Sequence, residues 1–330
     1  FYPEFVGADD PASGVAADVR SPRFSLSYWA TRNRFGALVE THSWQEYPRR
    51  VAATRETIHA MVELAARDGT KWLEAARAAD ERARQLGGKP VALSFRNTDA
   101  VRTVELRGYE YTREPSAVAG QPWIRYDSTE PAVWRLPLRY EVQPALTVTA
   151  PATGYFVPSA HAAWMSEKLA LHGIDFQRVI APQPASVVQT FRADKTTTAV
   201  ETFEGRSLMT VDGAWRDEKR DIGPGALFVP IAQPKARLVM SLLEPQAPDS
   251  FVSWGYFSAA FERKEYMENY VTETVARQML SQDAVLKAEF ERRLRDDAAF
   301  AGNPDARLEF FYRRHPSWDE RYGLYPVYRK

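Results

Sequence analysis

The chain has 330 residues, 43 Lys and Arg against 43 Asp and Glu, and no cysteine. An even charge without a basic stripe argues against nucleic acid as a principal partner, and no apolar run nears the roughly 18 to 20 residues that span a bilayer. The lack of cysteine excludes disulfides and thiol chemistry but leaves the compartment undecided.

Taken in chain order, the first informative stretch is Asn33 to Ser43. Phe35 to Val39 reads as a buried strand that ends on Glu40 and passes into Thr41, His42 and Ser43. Ligands and catalytic groups gather outside the carboxyl ends of such strands in α/β folds. A carboxylate in a low-dielectric cleft is pushed toward neutrality, which makes it a usable general base. The same pattern fits a strand-end glutamate paired with a neighbouring arginine, and the spacing does not choose between the two.

Beyond Tyr47-Pro48 a helix is predicted from about Ala52 to Arg67, with Ile58, Met61, Val62 and Ala65 at helical spacing and Asp68-Gly69 as the stop. A second helix is predicted from about Trp72 to Leu86, ended by Gly87-Gly88 and packed by one stripe. His59, with Glu56 and Glu63 around it, reads as a salt-linked helix face rather than a metal site.

From Pro90 to Thr149 the period changes to two, through Val91–Phe95, Thr103–Leu106, Tyr109–Tyr111 and Trp134–Leu138. This predicts an antiparallel sheet or sandwich. Gly154 to Pro158 then leads into a helix from Ser159 to His172, closed by Gly173, with His172 expected as a cation at the helix C-terminus. Strands are expected from Arg178 to Glu204 and over Ala226 to Pro230, with a turn at Asp212-Gly213. Phe257 to Phe300 reads as helical, and the aromatic tail Phe310-Phe311-Tyr312 with Trp318 should dock on the body.

The candidate site residues cluster near Glu40. His42 lies two residues on, to the same side in an extended chain, and lacks partners as a metal ligand. Arg32, Arg34, Arg49 and Arg50 are cations able to hold a substrate carboxylate bidentately, although most such arginines are salt-bridged surface groups. Tyr28 and Tyr47 are within reach in sequence. No Gly-x-Ser-x-Gly elbow, Walker loop or Rossmann glycine pattern is present.

The run Phe1-Tyr2-Pro3-Glu4-Phe5, then Ser21-Pro22-Arg23-Phe24-Ser25, Tyr28, Asn33-Arg34, Glu40-Thr41-His42-Ser43, Tyr47 and Arg50-Val51 resembles the late part of the zinc carboxypeptidase catalytic domain. It is similar to the large bacterial members that carry a C-terminal extension. Leu242-Leu243-Glu244-Pro245 and Asp249 to Phe257 resemble that extension. The resemblance implies that Glu40 is the general base acting on a zinc-bound water, that peptides are the substrates, and that the protein is secreted or periplasmic; Tyr28, Arg32, Arg34 and His42 are the substrate-binding candidates read from the residues around Glu40.

One departure matters. The family binds zinc through a His-x-x-Glu pair and a later His upstream of the Glu40 position, and none of the five histidines has Glu three residues on. The chain also opens on Phe1 inside the pattern. The expectation is therefore a C-terminal portion of a longer precursor, inactive alone, with the zinc and its ligands in a missing N-terminal part and no metal bound here.

The fold expected is α/β: residues 1–88 as the end of a carboxypeptidase-like mixed-sheet domain, 89–256 as a β-rich α+β extension, and 257–330 as a docked helical segment. A zinc amidohydrolase of the deacylase branch and a non-catalytic binding module built on residues 90–330 are the alternatives.

Overall fold

A computed structural model describes residues 4–41, 43 and 45–330. Helix and strand share the chain about equally, and the class is mixed α/β. Strands β1 (Glu4–Gly7) and β2 (Asp10–Ala16) precede a short helix α1 (Ser25–Thr31) and a long helix α2 (Tyr47–Arg84). Four strands follow: β3 (Pro90–Asn97), β4 (Val101–Glu114), β5 (Trp123–Arg139) and β6 (Val142–Thr149). Next come β7 (Gly154–Val157), α3 (Ser159–Leu171), β8 (Gln177–Arg178), β9 (Gln183–Phe203), β10 (Arg206–Ile222) and β11 (Leu227–Pro230). Helices α4 (Ala236–Leu243), α5 (Ser258–Phe261), α6 (Asn269–Gln282), α7 (Ala284–Asp296), α8 (Ala298–Ala301) and α9 (Pro304–Tyr312) lead to a final strand, β12 (Tyr328–Arg329).

Three sheets result. The first runs β1-β2-β5-β4, the second β10-β9-β12-β7-β11-β8, and β3 pairs with β6 alone. Pairing is antiparallel except between β2 and β5. The main core lies over the six-stranded sheet: Tyr155 and Val157 of β7 pack with Met165 and Leu169 of α3 and with Val239, Met240 and Leu243 of α4. Each such side chain contributes about 1.5–3 kcal/mol when fully buried. Helices α6 to α9 close around a smaller core of their own, centred on Phe290, Phe300, Phe310 and Phe311.

The tail docks as its aromatics predict. Phe310 and Phe311 are buried, Trp318 meets Tyr312 edge-on at 5.0 Å, and Tyr325 and Val327 are fully enclosed. Moreover, β12 enters the six-stranded sheet between β9 and β7, so residues 257–330 supply part of the sheet of the preceding segment. At the other end, β2 pairs with β5 and so ties the first residues to the strand-rich section.

Several local expectations are corrected. The two helices predicted over 52–86 are one, because Gly69 stays helical instead of taking the left-handed conformation that would end it. Its cost of about 1 kcal/mol relative to Ala is spread over a run of good helix formers, and Asp68 bridges Arg67 at 2.8 Å and Lys71 at 3.4 Å across the position. The apolar stripe of α2 forms but lacks cover: only Ala76 and Ala83 are buried, while Val51, Ile58, Met61 and Val62 are exposed. The buried contacts of α2 are thus confined to its C-terminal half, where Ala83 joins the main core.

The hairpin turn between β9 and β10 falls at Glu204-Gly205, both at positive φ (48° and 74°), which suits a two-residue turn of the primed type. Asp212-Gly213 sits instead inside β10 at a register shift. A Cβ at Gly213 would run into the Arg192 carbonyl oxygen of the facing strand, so the glycine serves close strand approach rather than a turn.

Candidate functional site

The segment expected to be a buried strand is neither strand nor buried. Residues 34–40 have no regular structure, Phe35 is 66% and Leu38 53% exposed, and Glu40 is exposed. A strand needs neighbours for its backbone hydrogen bonds, and no described strand lies beside this one.

The segment runs along α2 instead. Asn33, at φ 58°, turns the chain and donates its amide to Asp80 at 3.1 Å and to the Pro234 carbonyl at 2.8 Å. Arg34 grips Asp80 with two bonds of 2.9 and 3.0 Å, Phe35 meets Trp72 at 6.0 Å, and Arg50 donates to Thr41 at 3.4 Å.

These contacts decide the fate of the predicted site residues. The hydrogen bond from Arg34 holds the Asp80 carboxyl below its ordinary range against partial burial, and Asn33 adds to the effect. Arg34, expected to hold a substrate carboxylate, is thereby engaged by one within the chain. Arg32 turns the other way: it donates to the Tyr28 hydroxyl at 2.9 Å and lies 5.4 Å from the Tyr28 ring and 5.6 Å from that of Trp29. His42 lies outside the described residues. Among those described, no group of three or more His, Asp or Glu side chains is placed to hold a metal.

Tyr28 leads to a cleft of about 620 Å³ that sequence reasoning did not foresee. The Tyr28 oxygen lies 2.9 Å from Nδ1 of His172, the residue that caps α3. Burial pushes the His172 pKa down, and the charges of Arg32 and Lys168 push it further. That direction runs against the cation expected at the helix end. The Tyr28 oxygen thus accepts from Arg32 and shares a hydrogen bond with Nδ1 of His172.

The cleft brings together two stretches far apart in sequence. Pro22, Arg23, Ser25 and Tyr28 form one side, and Asp249, Phe251, Trp254 and Tyr256 the other. The backbone N–H of Arg23 donates to the Asp249 carboxylate at 2.7 Å across 226 positions. Lys168 of α3 and Arg206 at the start of β10 complete the rim. Tyr256 stacks on Trp164 at 5.1 Å and 11°, and Arg206 lies 4.0 Å from the Tyr256 ring. Of the residues that line it, the sequence singled out Tyr28 as a neighbour of Glu40 and His172 as a helix cap, and neither for this place. The remaining signal was the aromatic density of 249–257, which carried no role.

Comparisons with protein-family models, curated proteins and solved structures find no match.

Proposed function

We propose that this chain is the C-terminal part of a zinc metallocarboxypeptidase, with Glu40 as general base and with the metal ligands supplied by a preceding part of the catalytic domain. One observation supports the reading above the rest. Phe35, Leu38 and Val39 of the segment that runs along α2, and Val51, Ile58 and Val62 of the helix itself, are all exposed. Apolar side chains left without cover on a helix and on the segment beside it fit a surface that packs against a further part of a protein.

The described residues offer no ligand set for zinc, so no part of the metal site is assigned to them. When bound, zinc would polarise the scissile carbonyl and acidify a water. Glu40 would take a proton from that water at its carboxylate and deliver it to the leaving amine. Of the two proposed substrate arginines, Arg34 is held by Asp80 and Arg32 donates to the Tyr28 hydroxyl.

The test uses the protein with its preceding part restored. The expected result is release of C-terminal residues from peptides, and a Glu40→Gln variant that keeps its zinc while kcat falls about 10²- to 10⁴-fold. Undiminished kcat in that variant, or no peptide hydrolysis by the zinc-loaded protein, overturns the reading.

A further inference from the structure

We propose that the cleft between α1, α3 and residues 249–256 binds a nucleoside monophosphate, with its phosphate on the cations of the rim, its base on the tryptophan walls and its sugar hydroxyls on two carboxylates. This site stands apart from the peptidase reading, since it uses neither zinc nor Glu40.

Three cations line the cavity from three separate segments: Arg23 ahead of α1, Lys168 in α3 and Arg206 at the start of β10. Among the described residues, none of the three pairs with a carboxylate or spends a side-chain N–H on a hydrogen bond. Arg206 is held instead by the Tyr256 ring, 4.0 Å away and itself stacked on Trp164, and Lys168 lies 5.9 Å from the same ring. Arg23 is held by the rings of Phe203 and Phe24, at 4.6 and 4.9 Å. A guanidinium seated on a ring face keeps its in-plane N–H donors for another partner. Like charges gathered around a partly enclosed space repel, and a bound anion relieves that repulsion. A phosphate ester offers three acceptor oxygens in three directions, which suits cations arriving from three segments better than the single fork that a planar carboxylate takes.

The remaining groups set the rest of the ligand. Glu204 and Asp249 also line the cavity. Two carboxylates weaken the hold on a bare phosphate, whereas they accept hydrogen bonds from the hydroxyls of a ribose, the pairing by which dinucleotide sites grip that sugar. Asp249 spends Oδ2 on the Arg23 backbone N–H, and Glu204 accepts no bond from a described residue, so both keep acceptors for the sugar. Trp29 and Trp254, one from each side of the cleft, supply flat apolar surface on which a base stacks. Side chains from three segments hold the phosphate here, so the site needs no glycine-rich loop. The cleft volume of about 620 Å³ falls within the range of small-molecule sites.

Isothermal titration calorimetry on this chain tests the proposal, with adenosine 5′-monophosphate, its 2′,3′-dideoxy analogue, adenosine, ribose 5-phosphate and inorganic phosphate as probes. The nucleotide is expected to bind at least tenfold more tightly than adenosine or inorganic phosphate, and several-fold more tightly than ribose 5-phosphate or the dideoxy analogue. Arg206→Gln and Lys168→Gln are each expected to weaken it several-fold with an unchanged melting temperature, since the first residue is exposed and the second half-buried. No binding of the nucleotide, equal binding of adenosine, or unchanged affinity in both variants overturns the phosphate site. Ribose 5-phosphate or inorganic phosphate bound as tightly as the nucleotide overturns the base contacts, and with them a nucleotide as the ligand. Equal binding of the dideoxy analogue overturns the role of Glu204 and Asp249.

Discussion

Arg329 reaches into the main core and closes a two-bond ion pair on Glu244, with Nε 2.9 Å from Oε1 and Nη2 on Oε2. Glu244 is 1% exposed, Tyr155 donates its hydroxyl to the same carboxylate, and the Arg329 guanidinium lies 4.0 Å from the Trp215 ring. Burial pushes the Glu244 pKa up, and the charge and hydrogen bonds of Arg329 pull it back. The pair joins the end of α4 to β12, so the last strand is fixed by charge as well as by backbone pairing.

Arg329→Met should therefore cost about 3–5 kcal/mol, because it leaves a buried carboxylate without its partner. Adding Glu244→Gln should recover much of the loss, since an amide at that position no longer carries an unpaired charge. Urea unfolding of the two variants checks this. A single variant as stable as the parent chain would show that Tyr155 alone satisfies Glu244.

Removing the residues after Asn303 takes away Phe310, Phe311, Tyr325, Val327 and Arg329 together. The four apolar and aromatic groups contribute about 1.5–3 kcal/mol each, which in sum rivals the roughly 5–15 kcal/mol of a whole domain. The shortened chain is expected to lose its cooperative thermal transition and to be cut rapidly by protease within the six-stranded sheet. An unchanged melting temperature would show that β12 is dispensable.

Acid should weaken the sheet at Glu218. Burial pushes this carboxyl up, but hydrogen bonds from Arg192 and Arg220 outweigh burial and bring it to about 2, below its ordinary value of 4.5. Because the folded value is the lower one, the unfolded chain binds the proton first. The stabilisation is thus complete above about pH 4.5 and is lost as pH falls toward 2. Its size is roughly 1–3 kcal/mol once solvent screening is allowed for. Glu218→Gln isolates it: the stability gap between the two proteins, measured by urea unfolding at pH 6 and again at pH 3, should narrow. A gap that stays constant would place the stabilisation elsewhere.

What is locally encoded was legible in the sequence. The helix Ser159–Leu171 stands where its pattern and Gly173, at φ 63°, predict it, because a cap and a periodic stripe need no distant partner to be recognised. The strand character of 90–149 and the docking of the aromatic tail follow from alternation and from apolar area in the same way.

Choices between equivalent local signals were left to tertiary contacts. Two Gly-containing dipeptides, Glu204-Gly205 and Asp212-Gly213, both suit a turn, and the long antiparallel register between β9 and β10 selects the first. Asp68-Gly69 resembles a helix stop, yet the chain on both sides favours helix and nothing docks there to fix a left-handed residue.

The candidate site divides along the same line. The sequence alone named Tyr28, Arg32, Arg34 and Glu40. It could not tell that Arg34 would meet Asp80 while Arg32 met Tyr28, or that Phe35 to Val39 would find no strand beside it. An amphipathic pattern states which residues seek cover, whereas the cover itself, like the approach of Arg23 to Asp249, depends on segments brought together only when the whole chain packs.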